Sequence, residues 1–283
     1  MITWWLVPLQ YGFMQRGLVA ALMVGIVCSI IGCYVVLRSM AFLGDALAHA
    51  ILPGVAVAYL LGGNLTVGAL ISAGFVAIGI GFITAQGTIK EDTAIGILFT
   101  AALALGVGLI SSIRSYAVDL SHILFGNILG VGPEDLILTA VVSVVVLGVI
   151  LVFYKPFLVI SFDPVLAATL RLPVKALRYL MLLLLAFTIT ISMQTVGIGL
   201  VAAMLVTPGA TAYLLTRRLP TMMLLAAVIG MISSFLGLYL SYYANIASGS
   251  AIVLVATFFF VLAYLAAPGR GLLWLRRKSL QNV

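Results

Sequence analysis

Asp45 and His49 stand four residues apart in Met40-Ala-Phe-Leu-Gly-Asp-Ala-Leu-Ala-His-Ala-Ile-Leu-Pro-Gly54, a stretch with no other ionisable side chain. On a helix, positions i and i+4 share a face, so both side chains could reach one small cation. A carboxylate oxygen beside an imidazole nitrogen suits a divalent ion such as manganese, zinc or iron(II). Two ligands do not close a coordination shell. Further donors must come from elsewhere or from water, and loose closure suits an ion that has to leave again. The alternative is a structural pair bridging two helices. The setting weighs against it, because ionisable groups in so apolar a chain usually mark a pathway or a site.

Other residues could take part. Asp119 and His122 are three apart, in a polar interruption running from Arg114 to Asp135. They could meet an entering cation, or be a helix cap with a neighbouring histidine. Glu134 and Asp135 follow Pro133 and read as a helix N-terminus, where acids complement the dipole. Lys90-Glu91-Asp92-Thr93 reads the same way, with Asp92 or Thr93 as the cap. Pro53 lies four residues after His49 and has no N–H, so it cannot bond the His49 carbonyl. That carbonyl needs another partner in lipid and could become an oxygen ligand. Ala46, Ala50, Gly54 and Ala58 recur every four residues, a small-residue stripe that lets a second helix come close. Cys28 and Cys33 are five apart, which is not a metal-ligand spacing, and read as packing residues.

The elements that must position these groups are membrane helices. The chain has 283 residues, 64% hydrophobic and only 7% charged, with a mean hydropathy of +1.32. Soluble domains are nearer half apolar and a quarter charged. Apolar runs long enough to span a bilayer fall near 17–37, 41–61, 65–86, 94–113, 136–154, 176–196, 198–216, 221–243 and 250–267. They lack the period-two alternation of barrel strands. The expectation is an all-α polytopic membrane protein with about eight to nine transmembrane helices. It forms one transmembrane domain over 1–283, with an interfacial lead-in at 1–16 and a basic tail at 269–283.

The formal charge of +7 has its own pattern. Alternating spans put Arg38, Lys90, Lys155, Arg171, Lys175, Arg178, Arg217, Arg218, Arg270, Arg276, Arg277 and Lys278 on one side, against Arg16 and Arg114 on the other. Such asymmetry encodes orientation, with the basic side and the C-terminus cytoplasmic, and not nucleic-acid binding. The first apolar run has no basic n-region and no small-residue cleavage site, so a removed signal peptide is not expected. No GxxxxGK[ST] loop, HExxH or GxSxG occurs. The chain therefore reads as a non-enzyme without its own nucleotide site, and uphill transport would draw on an ion gradient or on a partner that hydrolyses ATP.

At this point Arg38–Gly54 resembles the second-helix motif of the zinc/manganese/iron ABC importer permeases. Lys90-Glu-Asp-Thr-Ala-Ile-Gly-Ile97, Asp119-Leu-Ser-His-Ile-Leu-Phe-Gly-Asn127, Phe162-Asp-Pro164, Gln194-Thr-Val-Gly197, Leu214-Leu-Thr-Arg-Arg-Leu-Pro220 and Gly237-Leu-Tyr-Leu-Ser-Tyr-Tyr243 resemble that family's motifs in the same order. The resemblance runs from about residue 8 to 268. It implies the metal-importer permease fold, with a weaker likeness after Gly197 to the larger vitamin B12 and siderophore permeases. It also implies a homodimer or a pair of related permeases, two copies of a separate cytoplasmic ATPase, and an extracytoplasmic metal-binding protein. Asp45 and His49 would hold the metal pair, with weaker support for Asp119 and His122. Thr216, Arg217, Arg218, Leu219 and Pro220 would form the turn that couples to the ATPase. Ala48 stands where the family often has serine.

These observations lead to the membrane subunit of an ATP-driven importer of a divalent metal, manganese or zinc with iron as a further choice, in a bacterial-type plasma membrane. No permanently bound cofactor is expected. The rival reading is a self-sufficient proton- or sodium-coupled carrier in which His49 and Asp45 relay protons.

Overall fold

A computed structural model describes residues 7–85, 87–111, 128–267 and 271. Among these the chain is helical and contains no strand. A 3-10 turn at Pro8–Gln10 precedes α1 (Gly12–Leu37); α2 (Leu43–Ala50) and α3 (Leu52–Leu60) follow, then α4 (Leu65–Thr84) and α5 (Glu91–Ser111). A second 3-10 turn at Ile128–Gly130 leads to α6 (Pro133–Val152), with two short helices, α7 (Tyr154–Phe162) and α8 (Pro164–Thr169), after it. The remainder is α9 (Val174–Val196), α10 (Ile198–Leu215), α11 (Leu219–Ala244) and α12 (Ser248–Ala266). Counting α2 and α3 as one interrupted span, nine segments among the described residues are long and apolar enough to cross a membrane.

Two differences from expectation have local causes. The first helix begins at Gly12, inside the expected lead-in of 1–16. Gln15 and Arg16 sit in its first turns, and the Gln15 amide donates to the Leu9 carbonyl at 2.7 Å, tying the 3-10 turn to the helix. The gap between the expected spans 136–154 and 176–196 is folded. Asp163 accepts from the N–H groups of Val165 and Leu166 at 2.9 and 3.0 Å, capping α8, and Pro164 occupies the start of that helix, where no N–H is needed.

Tight connections use the residues such turns require. Asn64 caps α4 by accepting from Thr66 and Val67 at 2.9 and 3.2 Å. A single residue, Gly197 at φ +89°, joins α9 to α10; a side chain there would meet the steric penalty of positive φ.

α1 and α9 form the centre, with two thirds of each apolar window buried, whereas α5, α6 and α12 lie at the periphery. α1 packs against α10 and α11, and α9 against α4 and α6. Contacts are close where both sides are small. Gly25 of α1 meets Gly230 and Ser234 of α11, and a Cβ on Gly32 would overlap the Leu205 carbonyl oxygen of α10. Without a hydrophobic drive between helices in lipid, such backbone approach and the packing it allows hold a bundle together. Arg38, Lys90, Lys155, Arg171, Lys175, Arg178, Arg217 and Arg218 lie at or near the same end of the alternating spans; Arg16 is at the other. The end that carries the eight is the basic end of the bundle.

Candidate metal site

Asp45 lies in the first turn of α2 and His49 in its last. Their shared face is set by what surrounds it, since Leu43, Gly44, Ala46, Leu47, Ala48 and Ala50 are all buried. α2 packs on α5, α9, α10 and α4. The two polar side chains occupy the remaining sector, with side-chain exposures of 56% for Asp45 and 30% for His49. Their Oδ1 and Nε2 atoms are 3.7 Å apart. That is too long for a hydrogen bond. It is close to the separation of about 3.4 Å that two ligands at about 2.1 Å would have around a tetrahedral ion. The His49 ring packs against Phe99 of α5, centroids 5.7 Å apart at 48°.

The span breaks at Ile51, between α2 and α3, with Pro53 in the first turn of α3. The Ile51 N–H turns back toward the His49 carbonyl. The neighbouring carbonyl of Ala50 accepts from the Ser72 hydroxyl of α4 at 2.7 Å. A side-chain hydroxyl on the adjacent helix thus takes over a backbone group at the break, as lipid requires. The small-residue stripe forms a crossing: a Cβ on Gly54 would overlap the Gly68 carbonyl oxygen, and one on Gly68 would overlap that of Gly54. α3 and α4 therefore touch backbone to backbone.

A cavity of about 260 Å³ opens beside Asp45, lined by Phe42, Asp45, Ala46, Asp92, Ile95, Gly96 and Phe99. Larger grooves of about 530 and 540 Å³ run along α3–α4 and between α4, α6 and α9, but their walls are almost wholly apolar and hold no ionisable side chain. Of these three, the small cavity alone is lined by carboxylates, Asp45 and Asp92. Asp92 was expected as a cap of α5. Instead the helix begins at Glu91, the Lys90 carbonyl accepts from Ala94 at 3.1 Å, and Asp92, in the first turn, lines the same cavity as Asp45. Nothing in the linear spacing of Asp45 and Asp92 signals this, because the two are joined only by the packing of α2 on α5.

Glu91 points elsewhere. It pairs with Arg38 Nη2 and with Arg178 Nε, the latter at 3.3 Å, while Arg178 Nη1 donates to the Thr84 carbonyl at 3.3 Å. Burial pulls the Arg38 guanidinium below its ordinary pKa; the Glu91 carboxylate opposes this and Arg178 adds to it. Arg38 Nη1 is buried with no hydrogen-bond partner among the described residues.

Asp119 and His122 lie outside the described residues. Among the described residues no group of three or more His, Cys, Asp or Glu gathers as a metal cluster; one chain offers the Asp45–His49 pair and an adjoining carboxylate. Asp135 accepts from the Gly132 N–H at 3.0 Å, the helix-start role expected of it. Cys28 and Cys33 are buried and free. At the turn between α10 and α11, Arg217, Arg218 and Pro220 are exposed, Thr216 Oγ1 accepts from the Arg218 N–H at 3.4 Å, and Leu219 is buried at 5% exposure, anchoring the turn.

Comparison with known proteins agrees with this architecture. Residues 10–267 match the model of the ABC 3 transport family. The chain is 50% identical over 94% of its length to the manganese transport system membrane protein MntC of Halalkalibacterium halodurans, covering 91% of that protein. It is 43% identical over 93% of its length to a protein described as a probable iron transport system membrane protein of Haemophilus influenzae, covering 97% of it. Among solved structures, PsaBC from Streptococcus pneumoniae in complex with Fab superposes with a TM-score of 0.84 at 42% identity, each chain covered in full.

Proposed function

This chain belongs to the ABC 3 transport family and is a multi-pass permease of the metal-transporting ATP-binding-cassette class; we propose that its cargo is divalent manganese, carried inward past Asp45 and His49. The observation that carries the reading is that pair. It is a carboxylate and an imidazole at near-ligating separation, left open to one side by a helix whose other faces are packed. A hard carboxylate site with a second carboxylate close by suits manganese, which favours oxygen donors more than zinc does. Relatives named for manganese transport support the same choice.

The basic end faces the cytoplasm, following the positive-inside rule. A binding protein on the opposite face delivers the ion, and a second copy of the permease supplies the facing wall of the pathway. Asp45 and His49 take the ion transiently, each giving one donor. Water and groups beyond this chain complete the shell, so the ion is held long enough to pass and not stored. Asp92, across the cavity, offers the next carboxylate along the way. A cytoplasmic ATPase docks at Thr216–Pro220, where the Arg217 and Arg218 side chains project toward an acidic cleft and buried Leu219 passes the motion to α11. Other divalent ions, zinc and iron(II), are competitors at the same pair.

The test is uptake into proteoliposomes holding the permease, its ATPase and its loaded binding protein, with manganese, zinc and iron(II) offered singly and in competition. Manganese uptake that needs ATP and is lost in Asp45→Ala and His49→Ala supports the reading. Wild-type uptake driven by a proton or sodium gradient without ATPase would sink it.

A further inference from the structure

We propose that Glu91 is a positioning residue for transport: by pairing with Arg38 and Arg178 together it clamps the basic ends of four helices and so sets the width of the cleft beside Asp45 and His49. This rests on the permease reading above and adds a residue that touches no ion.

The geometry begins with where each partner sits. Arg38 immediately follows α1, Glu91 opens α5, Arg178 lies in the first turns of α9, and Thr84 ends α4. Arg38 and Arg178 converge on the same Glu91 oxygen, Oε1, and Arg178 also reaches the Thr84 carbonyl. Helix ends from three distant parts of the sequence thus meet at one carboxylate, and the end of α4 joins them through Arg178. Among the described residues no other acid pairs with an arginine. Without Glu91, two guanidiniums would face each other, one of them with only 9% of its side chain exposed. Like charges at that depth repel with little screening.

The link from clamp to cleft is short and stiff. Between Arg38 and α2 the chain makes a hydrogen-bonded turn: Ser39 and Met40 donate to Val36 and Val35 at 3.1 and 3.0 Å, and Leu43 donates to Met40 at 3.0 Å. Met40 is 1% exposed and pins the turn. On the other side, α5 carries Asp92 into the cavity one residue after Glu91, and Phe99 onto the His49 ring about two turns later. The Glu91–Arg38 contact therefore ties the helix bearing the Asp45–His49 pair to the helix that walls it. Adjacent acids divide the work: Glu91 is spent on the clamp, and Asp92 is left to the cavity.

The experiment uses the assembled complex in proteoliposomes. Wild type, Glu91→Gln, Glu91→Asp and Arg178→Gln are compared for maximal uptake rate and half-saturating metal. The same variants carry spin labels at Ser39→Cys and Thr88→Cys, exposed positions beside the two arms of the clamp, with labelled chains diluted among unlabelled ones. The native cysteines are buried and stay unlabelled. Glu91→Gln is expected to lower the maximal rate at least tenfold, leave half-saturation within twofold, and widen or shift the label distance. Glu91→Asp, which keeps the charge, should recover a third or more of the rate. Rates within twofold of wild type in Glu91→Gln overturn the proposal, and so does slow uptake with an unchanged label distance. If Glu91→Gln fails to accumulate as folded protein, Arg178→Gln, which leaves a neutral Arg38–Glu91 pair, is judged by the same rate and distance criteria. ATP-independent uptake by the wild type would defeat the importer reading, while the label distances would still decide the clamp.

Discussion

Replacing Gly54 by alanine is the most direct test of how the interrupted span is held. Gly54 of α3 faces Gly68 of α4, and a new Cβ would overlap the Gly68 carbonyl oxygen while lying 2.6 Å from the Ser72 Cβ and 2.8 Å from the Gly68 carbonyl carbon. None of these is the end of a flexible side chain, so the helices must move apart by roughly 1 Å to restore ordinary contact. Overpacking of this kind costs about 1–3 kcal/mol. The Ser72–Ala50 hydrogen bond at 2.7 Å lies one turn away on both helices and lengthens with them, adding about 0.6 kcal/mol, a typical worth for such a bond in a membrane protein. The sum, about 2–4 kcal/mol, corresponds to a fall of roughly 5–10 °C in unfolding temperature. Thermal unfolding in detergent measures it, with Gly148→Ala as the control. Nothing lies within 4 Å of the Gly148 Cβ position, so that variant should be neutral, or more stable by up to about 1 kcal/mol from helix propensity. If Gly54→Ala melts with Gly148→Ala, the backbone contact does not hold the span and the packing argument fails.

Other outcomes follow from the same geometry. Asp45→Ala and His49→Ala should cut manganese uptake at least 100-fold while shifting the melting temperature by less than about 3 °C, since both side chains are part-exposed; a large loss of stability would mean the pair is structural. Asn64→Ala should cost about 1 kcal/mol and Asn64→Gly only a few tenths, because the cap accepts two N–H groups at the start of α4; equal losses, read from unfolding midpoints, would contradict the cap. Arg217→Ala with Arg218→Ala should lower ATP-driven uptake more than tenfold with unchanged folding, and co-purification of the ATPase at wild-type yield would argue against a docking role.

How much of this was readable beforehand depended on the range of the interaction. The spans announce themselves because about twenty apolar residues can bury their backbone only as a helix. The Asp45–His49 pair is legible for a related reason: four residues is one helical turn, so linear spacing already places both groups on one face. The close approach at Gly54 was visible as a stripe of small residues. Glu91 was not. Its partners lie 53 and 87 positions away, and no local pattern says that a carboxylate opening one helix will meet arginines at two others. Asp92 is legible as an acid of a helix start, and it does sit in the first turn of α5; its place in the cavity beside Asp45 emerges only when α5 packs on α2. Asp163 shows the local end of the range: a short polar residue before Pro164 is itself a cap signal, and it caps α8 in the gap between two spans.

The one-residue joint at Gly197 has a mechanical meaning. With no slack between α9 and α10, the centre of the bundle and the strut beside it cannot drift independently; they can only hinge. α10 has 18 residues and so extends about 27 Å from that hinge to the arginines at its far end. A tilt of about 10° would swing that tip by nearly 5 Å, a little less than one helical turn of about 5.4 Å, from a change at a single φ/ψ pair. Read in reverse, a push of a few ångströms on Arg217 and Arg218 would reach the core as a small rotation, geared down and delivered beside α1, the helix that leads into Asp45 and His49.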